Sequence, residues 1–190
     1  MKKYVIILAL FGLYFLGCSD QPTVSYEPAA SEVMYKLIEL PAPLNLKLNT
    51  VYTVSKVING STGGTITIQD NYAGGPYGNV TKNITLTFPS GSFSGTKTIT
   101  LSVDDYYCVA DFSPSMTFLM PVVANVTYTG INLYGIDPAK IKFVYLKDDG
   151  SIEYLTNDGV TIDLATGTLK VKNVKLNHFS RYGFINVEGE

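Results

Sequence analysis

His178-Phe179-Ser180 holds the sharpest chemical possibility in the chain. A serine hydroxyl can attack the carbonyl of the residue before it in an N-to-O acyl shift. A strained Phe179–Ser180 peptide bond, with a base such as His178 beside it, would assist. An ordinary strand explains the same residues by packing, with Phe179, Arg181, Gly183 and Ile185 on one side and Ser180, Tyr182 and Phe184 on the other. Only residues 180–190 follow that bond, which leaves no downstream domain to release, so the expectation is an intact chain. A second candidate is Asn71-Tyr-Ala-Gly-Gly-Pro-Tyr-Gly-Asn79, where glycines permit close approach and Tyr72 and Tyr77 offer flat faces suited to sugars or partner proteins. It lacks the spacing and following helix of a phosphate-binding loop and reads otherwise as a long hairpin loop. Asp104-Asp105 and Asp148-Asp149 raise calcium, which wants about six to eight converging oxygens. The first pair reads better as a strand end and the second as a hairpin turn. Cys108 reads as a small buried hydrophobe. With one histidine among many serines and aspartates, no catalytic triad stands out by spacing.

Composition narrows the classes. The chain has 190 residues, 46% apolar and 16% charged, enough for a real core and too apolar for a disordered tail. A net charge of −2 without a long basic run speaks against nucleic acid, whose affinity rests on Lys and Arg contacts to phosphate. One histidine and two cysteines exclude multi-His metal sites, Cys-rich zinc modules and a disulfide framework. No cofactor or metal is expected.

Lys2 and Lys3 precede an uncharged stretch from Tyr4 to Gly17. As a helix it would measure about 21 Å at ~1.5 Å per residue, short of a bilayer core of about 30 Å. A basic start, a short apolar middle and a small residue at the junction are the features of a secretory signal. Phe15-Leu16-Gly17-Cys18 resembles the bacterial lipobox, with Phe15 where Leu, Val or Ile is usual. The resemblance implies cleavage before Cys18 and lipid on its sulfur, and Ser19 in place of Asp resembles outer-membrane sorting. Two or more acyl chains give stable anchoring where one holds weakly.

The elements that must position these residues follow from periodicity. Residues 19–31, broken by Pro22 and Pro28, read as a tether. Glu32–Leu40 fits helix and strand about equally. Beyond Leu44 the pattern is β: Val51–Ile58, Thr65–Gln69, Asn83–Phe88, Thr96–Val103, Met116–Met120 stopped by Pro121, Val122–Thr129, Ile141–Lys147, Ile152–Thr156, Val160–Leu164, Thr168–Val174 and Phe179–Val187. Asp148-Asp149-Gly150 and Ala165-Thr166-Gly167 are hairpin turns. Asn132–Ala139 reads as a loop or one helical turn. Ile84, Leu86, Ile99 and Leu101 are expected to face the core.

Gly63-Gly64-Thr65-Ile66, then Ile84-Thr85-Leu86-Thr87-Phe88-Pro89 and Gly91-Ser92-Phe93, resemble the ZU5 family. Phe112-Ser113-Pro114, Phe118, Pro121, Ile141–Leu146, Asp149-Gly150 and the closing His178-Phe179-Ser180-Arg181-Tyr182-Gly183-Phe184 continue the pattern. The resemblance covers about Val54 to Phe184. It implies a β-sandwich of the kind used in scaffolds and receptors, with binding or mechanical roles rather than turnover. Some ZU5-type domains cut themselves between the Phe and Ser of such a motif.

These readings describe an all-β chain with an antiparallel, ZU5-like β-sandwich. Residues 1–17 form a signal peptide, 18–50 the lipidated cysteine, tether and lead-in, and 51–187 the sandwich region, as one body or two small β modules. The expected role is a non-enzymatic binding or structural module in the bacterial cell envelope, held at the outer membrane by lipid on Cys18. Its partner would be an envelope protein or a glycan. The rival readings are a carbohydrate-binding module using Tyr72 and Tyr77 and a self-cleaving domain cut between Phe179 and Ser180.

Overall fold

Ile84, Leu86, Ile99 and Leu101 are all completely buried, so the period-two alternation assigns the inner faces of these strands correctly. The structure, a computed structural model, describes residues 34–44 and 51–188. Twelve strands follow in chain order: β1 Met34–Leu37, β2 Tyr52–Asn59, β3 Gly64–Gly75, β4 Gly78–Phe88, β5 Thr96–Val103, β6 Val109–Ser113, β7 Thr117–Thr129, β8 Ile141–Leu146, β9 Ile152–Tyr154, β10 Val160–Asp163, β11 Thr168–His178 and β12 Arg181–Glu188. A single 3₁₀ turn, Pro138–Lys140, is the only helical element among the described residues. Asp137 caps it by accepting from the Ala139 amide.

The strands form two antiparallel sheets. One runs β2-β5-β6-β12-β8-β9 with β1 also on β12, and the other runs β10-β11-β7-β4-β3. Side chains from both sheets fill one core: Ile68, Leu86, Val126 and Leu176 from the five-stranded sheet and Leu101, Phe112, Phe143 and Phe184 from the other. This is the arrangement of a β-sandwich. Members of the two sheets alternate along the chain, and Glu32–Glu190 is one compact unit rather than two modules.

Several elements differ from the sequence reading, each because a long-range partner overrides a local signal. Within Glu32–Leu40, open between helix and strand, the described residues from Met34 onward are extended: Tyr35 pairs with Val187 and Leu37 with Ile185. Ile38 and Leu40 continue into the core, so residues 34–40 of the stretch read as lead-in belong to the sandwich. The long loop at Asn71–Asn79 does not exist. β3 and β4 stay paired through Asn71↔Thr81, Tyr72↔Val80 and Ala73↔Asn79, and only Pro76 and Tyr77 turn the chain. Gly74, at φ +159°, lies flat on Ala42 and Pro43, where a Cβ would come within 2.3 Å of the Ala42 carbonyl. Pro121 does not stop a strand. β7 runs through it at the point where pairing with β11 slips, between Thr117↔His178 and Val122↔Leu176, so its missing N–H interrupts no ladder bond there. β6 carries no clear alternation and is defined by its neighbours β5 and β12. Finally, the last strand begins two residues later than Phe179: β11 ends at His178 and β12 begins at Arg181, in the opposite sheet, so Phe179 and Ser180 link the two.

Candidate functional site

His178-Phe179-Ser180 is therefore a crossing from one sheet to the other. The Phe179 amide donates to the Met116 carbonyl at 2.9 Å, and the Ser180 carbonyl accepts from the Phe112 amide at 3.0 Å. Phe179 is buried in an aromatic nest, 4.7 Å from Phe118, 5.6 Å from Phe112 and 5.8 Å from Phe88 between ring centroids. The Tyr182 hydroxyl reaches back four residues and donates to the His178 carbonyl at 2.6 Å. It also lies 3.3 Å from the His178 Nδ1. A tyrosine near the start of a strand that bonds to the backbone of the preceding corner is a device that β-sandwiches use to fix such crossings. Burial pushes the Tyr182 phenol above its usual range, so the hydroxyl stays protonated as a donor. The His178 ring packs edge-on against Tyr145 at 4.6 Å. Among the described residues its hydrogen-bond partner is Tyr182 rather than Ser180.

Tyr72 and Tyr77 are not two neighbours on one loop. Tyr72 shares the inner face of β3 with Ile66 and Ile68 and packs against the core. Its hydroxyl donates to the Pro41 carbonyl at 2.7 Å. Burial, then the charge of nearby groups, pushes its phenol up to about 12. Tyr77 sits in the turn, half exposed, and donates to the Leu164 carbonyl at 2.8 Å.

The sequence reading passes over Lys82. It stands where the alternation Val80, Ile84, Leu86, Phe88 demands an apolar residue, and that substitution was the available signal. Its side chain is 3% exposed. Nζ crosses the sandwich to donate to the Asp104 carbonyl at 3.0 Å, with the Asp70 carboxylate 3.4 Å away and the Tyr72 ring 5.5 Å beneath. A second polar link runs beside it, since the buried Tyr128 hydroxyl donates to the Val109 carbonyl at 3.1 Å. Burial raises that phenol well above its ordinary range. The first link grips the β5–β6 connection at Asp104, and the second grips the first residue of β6. Asp104 Oδ1 accepts from the amides of Tyr106 and Tyr107 at 2.7 and 2.8 Å, and Oδ2 faces Arg181 at 3.6 Å. The same connection holds the β1 extension, through Leu40 to the Tyr106 carbonyl and Cys108 to the Ile38 carbonyl. Cys108 is a free, fully buried thiol, and burial pushes it far above the thiolate range. It is therefore packing rather than a nucleophile.

Asp149 behaves as a turn residue: its Oδ1 accepts from the amide and hydroxyl of Ser151 at 2.9 and 2.7 Å. Among the described residues no three His, Cys, Asp or Glu side chains gather where they could hold a metal ion. A cleft of about 350 Å³ opens between the edge strands β9 and β10, lined by Phe143, Tyr154, Leu155, Asn157, Val160 and Ile162. Its residues come from three strands and two connections, so no local motif marks it. Cys18 and the leader lie outside the described residues, and none of the described helices is long and apolar enough to cross a membrane. No protein-family model, curated protein or solved structure matches the chain.

Proposed function

We propose that this chain is a lipid-anchored envelope protein whose ZU5-like β-sandwich serves as a non-catalytic binding or structural module. The observation that carries the structural part of this reading is the use made of the interior polar groups. Lys82, Tyr128 and Tyr182 are each aimed at a backbone carbonyl, and each ties one segment of the sandwich to another. Groups committed in this way lend rigidity and are not poised for proton transfer to a substrate. The anchoring part rests on Lys2-Lys3, the short apolar run and Cys18. The ZU5 likeness rests on the Gly63-Gly64 and His178-Phe179-Ser180 motifs.

Growing cells with a fatty-acid analogue tests the anchor. Label should appear on the wild-type protein and vanish in Cys18→Ala, which should also leave the membrane fraction. Equal labelling of the two proteins would overturn the lipid assignment.

A further inference from the structure

Large apolar side chains exposed among the described residues gather at one end of the sandwich, Met34, Leu44, Tyr77, Tyr134 and Leu164 among them. The pairings place them together. Tyr77 turns β3 into β4 and bonds to the Leu164 carbonyl, Leu44 donates its amide to Ala73 on the same hairpin, and Met34 opposes Glu188 at the end of β12. Tyr134 lies in the β7–β8 connection at this end, 96% exposed. Leu119 and Met120 occupy the other end, where the Leu119 amide donates to the Ser92 carbonyl. We infer that the Tyr77–Tyr134 end is a membrane-contacting surface, whose rings and aliphatic chains settle into the headgroup region of the bilayer that carries the Cys18 lipid. The inference rests on the lipid-anchor reading above.

Chain length argues for this occupant. Cys18 stands 16 residues before Met34, a stretch that spans at most about 55 Å at ~3.4 Å per residue. The 13-residue β7 alone runs about 43 Å at ~3.3 Å per residue. Met34 lies at the tyrosine end, so turning the opposite end to the bilayer would draw nearly the whole tether out along the domain, at an entropic cost. Tyrosine suits the position, with an apolar ring and a hydroxyl that stays wet. Charge does not select the surface. The exposed Lys140 and Lys142 at this end are matched in number by the exposed Asp137 and Asp163, so contact with zwitterionic lipid is expected.

The chain holds no tryptophan, which makes a single introduced one a clean reporter. Tyr134→Trp and Leu119→Trp are each made in the chain from Cys18 onward, which keeps the whole compact unit Glu32–Glu190. Each is coupled through Cys18 to maleimide lipid on phosphatidylcholine vesicles, with and without bromine on the acyl chains near the headgroup. Bromine should remove most of the Tyr134→Trp emission and leave Leu119→Trp unchanged. Absence of quenching at Tyr134→Trp, or equal quenching at both positions, overturns the inference. So does a Tyr134→Trp signal that responds to soluble glycan strands and not to bromine. Because the anchor here is chemical, the asymmetry is read independently of the cellular lipid. Quenching at Tyr134→Trp combined with unlabelled Cys18 in cells would uphold the surface and sink the anchor.

Discussion

The Tyr182 hydroxyl closes the corner at His178 by donating to a carbonyl four residues back, across 2.6 Å. β11 and β12 belong to different sheets, so this one bond helps fix how the sheets meet. Tyr182→Phe keeps the ring, which stacks on Phe112 at 5.4 Å, and removes only the donor. Leaving the carbonyl under-satisfied should cost about 1–3 kcal/mol, read as a lower urea midpoint with an unchanged far-ultraviolet spectrum. A midpoint equal to wild type would mean that the bond contributes nothing to the corner.

Lys82 and Asp70 allow a test of what the interior charge does. Lys82→Met keeps the aliphatic stem and removes the ammonium. Replacing a buried ion pair by apolar volume is often neutral or favourable, while the Asp104 carbonyl loses a donor. Asp70→Ala instead leaves the ammonium without its carboxylate. Its penalty should fall short of the roughly 3–5 kcal/mol of a fully buried pair, because Asp70 is 26% exposed. Chemical denaturation should rank Asp70→Ala as the more destabilised variant. The reverse order would show that the Asp104 carbonyl, not the carboxylate, is the partner that matters.

Much of the sandwich is legible as period-two alternation, because an inner face must be apolar wherever it meets the other sheet. Ile84 and Leu86 on β4, and Ile99 and Leu101 on β5, are of this kind. Leu86→Ala should accordingly cost about 2–5 kcal/mol, and a change within noise would mean that the site collapses around the gap. The illegible parts depend on partners far away in sequence. Pro121 signals a break locally, yet it falls where the ladder needs no donor. The glycines of 71–79 signal a loop, yet Gly74 sits where the Ala42-Pro43 backbone presses against β3 and Gly75 where the Gly130 carbonyl does. Lys82 signals a solvent-facing side chain, yet it finds Asp104 across the core. Likewise, Phe179-Ser180 reads as the start of the last strand because nothing local says that the residues on its two sides join different sheets.

Asp111 gives a pH dependence with a definite sign. Its side chain reaches the surface of β6, and partial desolvation, only partly offset by Arg181, holds its carboxyl above the ordinary aspartate value. A carboxyl raised in the folded state opposes folding when ionised, so the native protein loses stability as pH rises through the folded-state value. Asp111→Asn should therefore be more stable than wild type at neutral pH. The gap should close as pH falls toward the unfolded-state value of 3.8. Melting temperatures of the two proteins across that window check this. A gap that widens on acidification would mean that the Arg181 attraction outweighs the desolvation of Asp111.

The Phe179–Ser180 bond is expected to stay whole. An acyl shift needs a serine hydroxyl aimed at the Phe179 carbonyl and a base to take its proton. The His178 ring is occupied with Tyr145 and Tyr182. The flanking backbone is held on both sides, by Met116 at Phe179 and by Phe112 at Ser180. Phe179 is in addition locked among three other phenylalanine rings. This corner is built to stay joined, and the purified protein should run as one chain. Ser180→Ala should change neither its mass, beyond the lost oxygen, nor its unfolding midpoint by much. Intact mass under denaturing conditions is the proper readout, because β12 pairs with β6, β8 and β1, and a cut strand would stay in the sheet under native conditions. Fragments ending at Phe179 and beginning at Ser180, abolished by Ser180→Ala, would show instead that this corner is a self-processing site.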